Sequence, residues 1–352
     1  MRASLALVFI VLFSFSLISC REELPSEEDQ QNDAPVVYST KEFFYVGNSR
    51  ADEIYKVETE SNDVVDTVRG IESGIGSIAT SYDGRKIYVS TWGGNPDDVH
   101  VFNIETDYKA VISYSTSHLY ITPGNNILIF SFEGDSTRIG EINTQTDLIT
   151  YHDTLSLRYE VFPNELIAFD PAGKYFYAVT KDSKLIKYNY STYSVERDYN
   201  QDYSLERIII SNDGSTIYST GGSVINVATG NVTGSIPVYD YGYIAISNDD
   251  RYLYLTDATG KNEDSQLPTA KVVVYDLQSL SIVNEISVLG FVNYLSYTNE
   301  IVLTSDGTKA YVSGAYDVFV IDLVNRQTTE VVNFTTEIRP TALCMGKWIS
   351  YL

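Results

Sequence analysis

The chain has 352 residues, of which 47 are acidic and 24 are basic, so its formal net charge at pH 7 is −23. A charge of this sign disfavours nucleic acid and anionic lipid head groups as binding partners. No nucleic-acid partner is therefore expected.

The N-terminal segment has the features of an export signal. Met1 and Arg2 give a positive start, and residues 3–16 form an apolar run shorter than the roughly 20 residues that a membrane-spanning helix needs. The following Leu17-Ile18-Ser19-Cys20 resembles a bacterial lipobox. The resemblance implies a signal peptide over residues 1–19, cleavage before Cys20, and a diacylglyceryl anchor with acyl chains such as palmitate on that cysteine. The alternative is an ordinary secretory peptide with an incidental cysteine.

Residues 20–35 are rich in Glu, Asp, Gln, Ser and Pro and contain almost no apolar side chains. Such a composition cannot bury enough surface to fold, so we predict a disordered acidic tether. Acidic residues soon after a lipidated cysteine resemble the surface-export signals of Bacteroidota lipoproteins, which implies an outer-membrane anchor facing the cell surface or the periplasm. With Cys20 lipidated, Cys344 is the only thiol left, and stability has to come from packing.

From residue 36 to residue 352 the chain repeats a unit of about 40 residues. Each unit opens on an apolar run, typical of a strand buried on both faces, and continues with a polar turn. The turn is most often Asp-Gly, as at Asp83-Gly84, Asp213-Gly214 and Asp306-Gly307, and this dipeptide favours a tight turn between two strands. We interpret these aspartates as turn residues and not as catalytic groups.

The second strand of each unit carries a tyrosine, with one isoleucine in its place, and the third strand ends in Asp, Asn or Glu. The second-strand positions are Tyr45, Tyr88, Ile129, Tyr177, Tyr218, Tyr254 and Tyr311, and the third-strand ends are Glu58, Asn103, Asn143, Asn189, Asn226, Asp276 and Asp322. A fourth strand follows in each unit.

Seven units of four short strands predict an all-β fold, a seven-bladed β-propeller of four-stranded antiparallel blades over residues 36–352. The apolar C-terminal segment is expected to pair with N-terminal strands around residues 36–46, which closes the ring and hides its edges. An eight-bladed ring with one composite blade is the alternative.

The repeats resemble the YVTN-type bacterial β-propeller repeat. The resemblance rests on Tyr45-Val46-Gly47-Asn48, Tyr88-Val89-Ser90-Thr91 and Tyr311-Val312-Ser313-Gly314. Two units depart from it, since Pro123-Gly124-Asn125-Asn126 replaces the aspartyl turn and residues 260–270 are an insertion. The family implies the fold but no particular activity, because the same ring serves binding, scaffolding and some enzymes.

Propellers bind ligands on the face that carries the connections between blades and between second and third strands, so ligand-binding residues are expected in these connections. A tryptophan can act as a stacking platform or cover the core, and the aspartates can bind calcium or be merely solvated. The arginines would neutralise a ligand carboxylate or phosphate, or pair with neighbouring acids. The predicted ligand-binding residues are Trp92, Asp97, Asp98, Arg207, Tyr241, Asp257 and Arg339.

No linear catalytic motif accompanies these residues, and the three histidines, His100, His118 and His152, lie in different units. We therefore predict a non-catalytic binding protein without a required cofactor or metal. Some Bacteroidota lipoproteins with similar propellers receive corrinoids beside TonB-dependent transporters, and this resemblance implies a corrinoid ligand and a transporter partner. The alternatives are an envelope scaffold for protein contacts, or a lactonase-like or quinoprotein-like enzyme.

Overall fold

A computed structural model describes residues 39–48, 50–71, 74–92, 98–106, 108–114, 118–133, 136–155, 166–180, 183–199, 203, 205–237, 241–261, 268–288, 300–314, 316–335, 338 and 340–350. The predicted signal peptide, Cys20 and the tether over residues 20–35 lie outside the described residues, as do Asp97 and Arg339.

The described residues form seven four-stranded antiparallel sheets, here called blades 1 to 7. Blade 1 contains β28 (Pro340–Ser350), β1 (Ser39–Asn48), β2 (Glu53–Glu58) and β3 (Val64–Val68). Blade 2 contains β4 (Gly74–Thr80), β5 (Lys86–Trp92), β6 (Val99–Asn103) and β7 (Lys109–Ile112). Blade 3 contains β8 (His118–Ile121), β9 (Asn126–Glu133), β10 (Ser136–Asn143) and β11 (Ile149–Leu155).

The remaining four blades follow the chain in the same way. Blade 4 contains β12 (Ile167–Phe169), β13 (Tyr175–Val179), β14 (Leu185–Asn189) and β15 (Val195–Asp198). Blade 5 contains β16 (Ile208–Ile210), β17 (Thr216–Ser219), β18 (Ser223–Asn226) and β19 (Val232–Ser235). Blade 6 contains β20 (Tyr241–Ile246), β21 (Tyr252–Lys261), β22 (Pro268–Asp276) and β23 (Ser281–Val288), and blade 7 contains β24 (Ile301–Leu303), β25 (Lys309–Ser313), β26 (Val318–Asp322) and β27 (Gln327–Val331).

The predicted seven-bladed propeller is confirmed. The first strands of successive blades contact each other, as β4 contacts β28 and β8, so they line the central axis. Ring closure occurs in blade 1, where β28 pairs with β1 from Ser39 opposite Ser350 to Asn48 opposite Pro340. No helix that could span a membrane occurs within the described ranges.

The second-strand tyrosines form the core between blades. Tyr45, Tyr88, Tyr177 and Tyr311 are each at most 1% exposed, and burial raises their pKa. In blade 3 this position is occupied by Leu128 and not by the predicted Ile129. Leu128 pairs with Glu141, two residues before the third-strand end Asn143, just as Tyr88 pairs with Val101, two residues before Asn103. The predicted position is wrong by one residue because blade 3 lacks the aspartyl turn that fixes the register in blade 2.

The turns between first and second strands share one hydrogen-bond pattern. The hydroxyl groups of Ser81, Ser211, Ser247 and Thr304 each donate to the carboxylate two residues later at 2.6 Å. This bond is the main reason why the pKa values of Asp213, Asp249 and Asp306 are lowered. The aspartates therefore hold the turns, as predicted from the Asp-Gly pattern.

A polar clamp joins neighbouring blades at two of the tyrosines. Between blades 2 and 3, Asp147 accepts hydrogen bonds from Tyr88 Oη at 2.6 Å and from Lys86 Nζ at 2.8 and 2.9 Å. Between blades 7 and 1, Asn62 Oδ1 accepts a bond of 2.6 Å from Tyr311 Oη. Asp147 and Asn62 have the same left-handed backbone, with φ of 58° and 61°, which Asp and Asn tolerate well.

The clamp between blades 3 and 4 has the opposite arrangement, with the carboxylate in the strand and the hydroxyl groups in the next turn. Glu141 in β10 accepts hydrogen bonds from Tyr190, from Tyr193 at 2.9 Å and from Asn126 at 2.6 Å. Burial raises the pKa of Glu141, but these bonds and the neighbouring His152 outweigh burial and lower its pKa overall. Glu141 is thus a structural acid.

Candidate functional site

The two faces of the ring carry different connections. One face, here called the turn face, holds the turns between first and second strands and between third and fourth strands. The other, here called the connection face, holds the links from second to third strands and from one blade to the next. The described candidates lie at this second face: Trp92 ends β5, Asp98 precedes β6, Arg207 precedes β16, Tyr241 begins β20 and Asp257 lies in β21.

The structure pairs two of these candidates, places a third in the neighbouring blade and separates the other two. Tyr241 lies opposite Asp257 in blade 6, and the Arg207 guanidinium of blade 5 lies over the Tyr243 ring of blade 6, at 4.3 Å from its centroid. Trp92 and Asp98 belong to blade 2, which is not a neighbour of blade 5 or blade 6. The side chains of Trp92 and Tyr241 are outside the description.

Arg207 had two interpretations, a cation that binds a ligand or a partner in a structural ion pair, and no such ion pair occurs among the described residues. Within the described ranges its guanidinium makes no hydrogen bond or ion pair, and Nε is buried without an acceptor. Its backbone is fixed, because Arg207 N donates to Thr220 Oγ1 at 3.2 Å and Thr220 N donates to Arg207 O at 3.0 Å. Arg207 is therefore a cation on a fixed backbone, and no carboxylate in the described part of the chain lies within ion-pair distance of its guanidinium group.

Asp257 is buried and Asp98 is half-buried, so neither is the fully solvated aspartate that was the alternative to a calcium ligand. Asp257 is 2% exposed and pairs with Lys271 Nζ at 3.7 Å, and Lys271 also pairs with Glu285 at 2.7 Å. These three side chains form a charged row across blade 6. Asp98 has one buried carboxylate oxygen, and its backbone carbonyl accepts a bond from Thr91 Oγ1 at 3.2 Å. The described residues contain no group of three acidic, His or Cys side chains that would hold a metal.

A groove of about 820 Å³ opens on the connection face between blades 7 and 1. It is lined by Arg50 after β1, by Tyr316 and Asp317 between β25 and β26, and by Val331–Thr335 at the end of β27 and beyond. The sequence does not predict this groove, because its residues come from separate links between strands that share no motif. The sequence signal there is limited to aromatic and charged residues in those links.

The lining of the groove combines apolar and polar groups. Val332 is 2% exposed and forms part of the floor, and the Phe334 ring packs against Tyr55 at 5.1 Å between centroids. Tyr316 is 40% exposed, and burial raises the pKa of the Asp317 carboxyl group. Apolar side chains beside a phenol, a carboxyl and a guanidinium group can contact both parts of a small amphipathic ligand.

Comparison with known proteins supports the fold. No family model matches the chain, and no curated protein sequence matches it, so the YVTN-type repeat and the lipobox remain predictions. A functionally unknown protein from Desulfotomaculum acetoxidans is 14% identical with a TM-score of 0.64, covering 88% of this chain and 99% of that chain. A proposed 6-phosphogluconolactonase from Bacteroides uniformis is 13% identical with a TM-score of 0.63, covering 87% and 99% of the two chains.

Hydrazine synthase from Kuenenia stuttgartiensis is 17% identical with a TM-score of 0.60, covering 79% of this chain and 91% of that chain. Identities of 13 to 17% carry information about the fold and none about activity. These similarities agree with the strand order and ring closure, and the chain is a seven-bladed β-propeller.

Proposed function

We propose that the protein is a lipid-anchored envelope protein that binds a small ligand, without catalysis, on its connection face. The observation that carries this proposal is the groove of about 820 Å³ between blades 7 and 1. Its volume lies in the range of small-molecule sites, roughly 300 to 1,000 Å³, and its lining mixes apolar and charged groups. A rigid ring that presents variable connections is well suited to binding, because the frame positions the loops at little entropic cost.

The groove is tested by purifying the protein from its native envelope and identifying bound small molecules by native mass spectrometry. We expect a ligand on the wild-type protein and an affinity about 5- to 30-fold lower in Tyr316→Ala, because a phenol in contact with the ligand contributes about 1 to 2 kcal/mol. Tyr82→Ala is the matched control, since Tyr82 is 77% exposed on the turn face. A stoichiometric protein partner without any small ligand would favour the scaffold alternative and contradict this proposal.

A corrinoid is the specific ligand that the resemblance to Bacteroidota lipoproteins suggests, with a TonB-dependent transporter as the partner. Titration with cyanocobalamin, followed by absorbance, tests this version separately. Saturable binding that Tyr316→Ala weakens would support it. Binding of another small molecule in place of the corrinoid would leave the groove as the site and reject only the corrinoid.

The proposed anchor is tested by growth with a palmitate analogue that can be detected after extraction. The wild-type protein should take up the label and sediment with the outer membrane, whereas Cys20→Ser should be unlabelled, because the thiol is the acceptor of the lipid. Cys344→Ser is the matched control for loss of a thiol, and it should be labelled like the wild type. Equal labelling of Cys20→Ser and the wild type would exclude this anchor.

A further inference from the structure

Arg207 differs from two other arginines that stack on tyrosine rings. Arg197 lies over Tyr199 and also donates two hydrogen bonds to backbone carbonyl groups, and Arg251 lies over Tyr252 and pairs with an aspartate at 3.4 Å. In both cases the guanidinium group has a further polar partner within the protein. A third arginine, Arg326, also lies over Tyr252 and has no hydrogen bond or ion pair within the described ranges, but none of its nitrogens is buried without a partner. Among the described arginines, Arg207 alone combines a tyrosine stack with a buried Nε that lacks an acceptor.

The unsatisfied guanidinium group of Arg207 has a free-energy cost in the ligand-free protein. A buried N–H without an acceptor has lost its hydrogen bonds to water, and the stacked tyrosine compensates for only part of that loss. The two terminal nitrogens of Arg207 make no hydrogen bond within the described ranges and are not buried, so they reach solvent. They present a planar pair of donors, the geometry that recognises a carboxylate or a phosphate.

The connection face differs in height between blades 5 and 6 beside Arg207, and this difference in height is here called the step. In blade 5 the link between second and third strands is short, since β17 ends at Ser219 and β18 begins at Ser223. In blade 6, β21 continues to Lys261, five residues beyond Thr256, which is equivalent to Thr220. Five residues of strand extend about 17 Å, so a tall hairpin stands beside the short link, and Arg207 lies at the base of the step.

We propose that this step is a second site, which binds the carboxylate or phosphate group of a small anionic ligand through the Arg207 guanidinium stacked on Tyr243. The chain has 47 acidic residues, yet none in the described ranges pairs with Arg207. The site is separate from the groove, whose residues belong to blades 7 and 1, and it does not depend on the proposed function.

The site is tested directly by the ¹⁵Nε–¹Hε spectrum of the arginine side chains of the full protein. Burial of Nε slows exchange with water, so Arg207 should give a resolved peak, assigned by its loss in Arg207→Lys. The protein is titrated with sodium phosphate and with sodium succinate against sodium chloride at equal ionic strength. We expect a saturable shift of the Arg207 peak with phosphate, succinate or both, and none with chloride, while the Arg251 peak stays in place.

Two outcomes would overturn the proposal: no shift with either anion, or parallel shifts of all arginine peaks, which indicate an adventitious ion only. Tyr243→Leu removes the stack and should weaken anion binding about fivefold, which corresponds to roughly 1 kcal/mol. If this variant unfolds, the thermal midpoint provides a second measurement, since the bound anion should raise it more in the wild type than in Arg207→Lys, beyond the general stabilisation by phosphate that both share. Tyr316→Ala should leave the Arg207 shift unchanged, which separates this site from the groove.

Discussion

Removal of residues 340–352 is expected to abolish the folded ring. This truncation deletes β28, which forms the inner strand of blade 1 and pairs with β1 along its whole length. It also removes the Leu343 N–H that donates to the buried carboxylate of Glu300 in blade 7 at 2.5 Å, and the Met345 carbonyl that accepts from Thr80 in blade 2 at 3.2 Å. Three blades therefore lose contacts at once.

The truncated protein should show no cooperative unfolding transition, because an open β1 edge and an exposed apolar interface favour aggregation. Circular dichroism during thermal denaturation, together with size-exclusion chromatography, measures this result. The matched control is addition of a synthetic peptide of residues 340–350, which should restore a transition. A truncated protein that unfolds cooperatively at the wild-type midpoint would show that the ring does not need β28.

Asp147→Ala is expected to lower the free energy of unfolding by about 3 to 5 kcal/mol, the usual cost of removing one partner of a buried ion pair. Asp147 and Lys86 are only 10% and 16% exposed at their side chains, and Tyr88 Oη donates to the same carboxylate. The substitution removes the counter-charge of the Lys86 ammonium group and leaves Lys86 and Tyr88 to share the Thr144 carbonyl as acceptor, at 2.9 and 3.3 Å. Urea denaturation of the two proteins under identical conditions measures the difference.

Asp147→Asn is the matched control for this clamp. Asparagine keeps an acceptor for Tyr88 and tolerates the left-handed backbone, and the clamp between blades 7 and 1 has Asn62 at the equivalent position. We expect this variant to lose only about 1 kcal/mol, the contribution of an ordinary hydrogen bond. Equal losses for the alanine and asparagine variants would show that the charge, and not the acceptor geometry, stabilises the interface.

The fold was accessible from the sequence because its determinants are local. Asp-Gly turns, tyrosines in second strands and Asp or Asn at the ends of third strands recur within each unit, and each acts on residues a few positions away. The one misplaced position, Ile129 for Leu128, lies in the blade where Pro123-Gly124-Asn125-Asn126 replaces the aspartyl turn. Where the local signal was absent, the register could not be derived.

The candidate sites depended on contacts between blades, which a single sequence does not contain. Arg207 was identified from its place before a first strand, but the absence of a described acid beside it follows from how blades 5 and 6 pack. The groove is lined by Arg50 together with residues from 316–335, which lie more than 260 positions later in the chain. Glu141 gave no signal because its partners, Tyr190 and Tyr193, belong to the next blade.

The pairing of β28 with β1 also sets the order of events during biogenesis. Ser39 and Ser350 are neighbours in space but lie 311 positions apart in the chain. A chain synthesised from its N-terminus delivers β1 first and β28 last of the described strands, so the toroid stays open until synthesis is nearly complete. Loop closure over such a span is slow, and chaperones that shield the waiting β1 strand would therefore be expected to govern the yield of native protein.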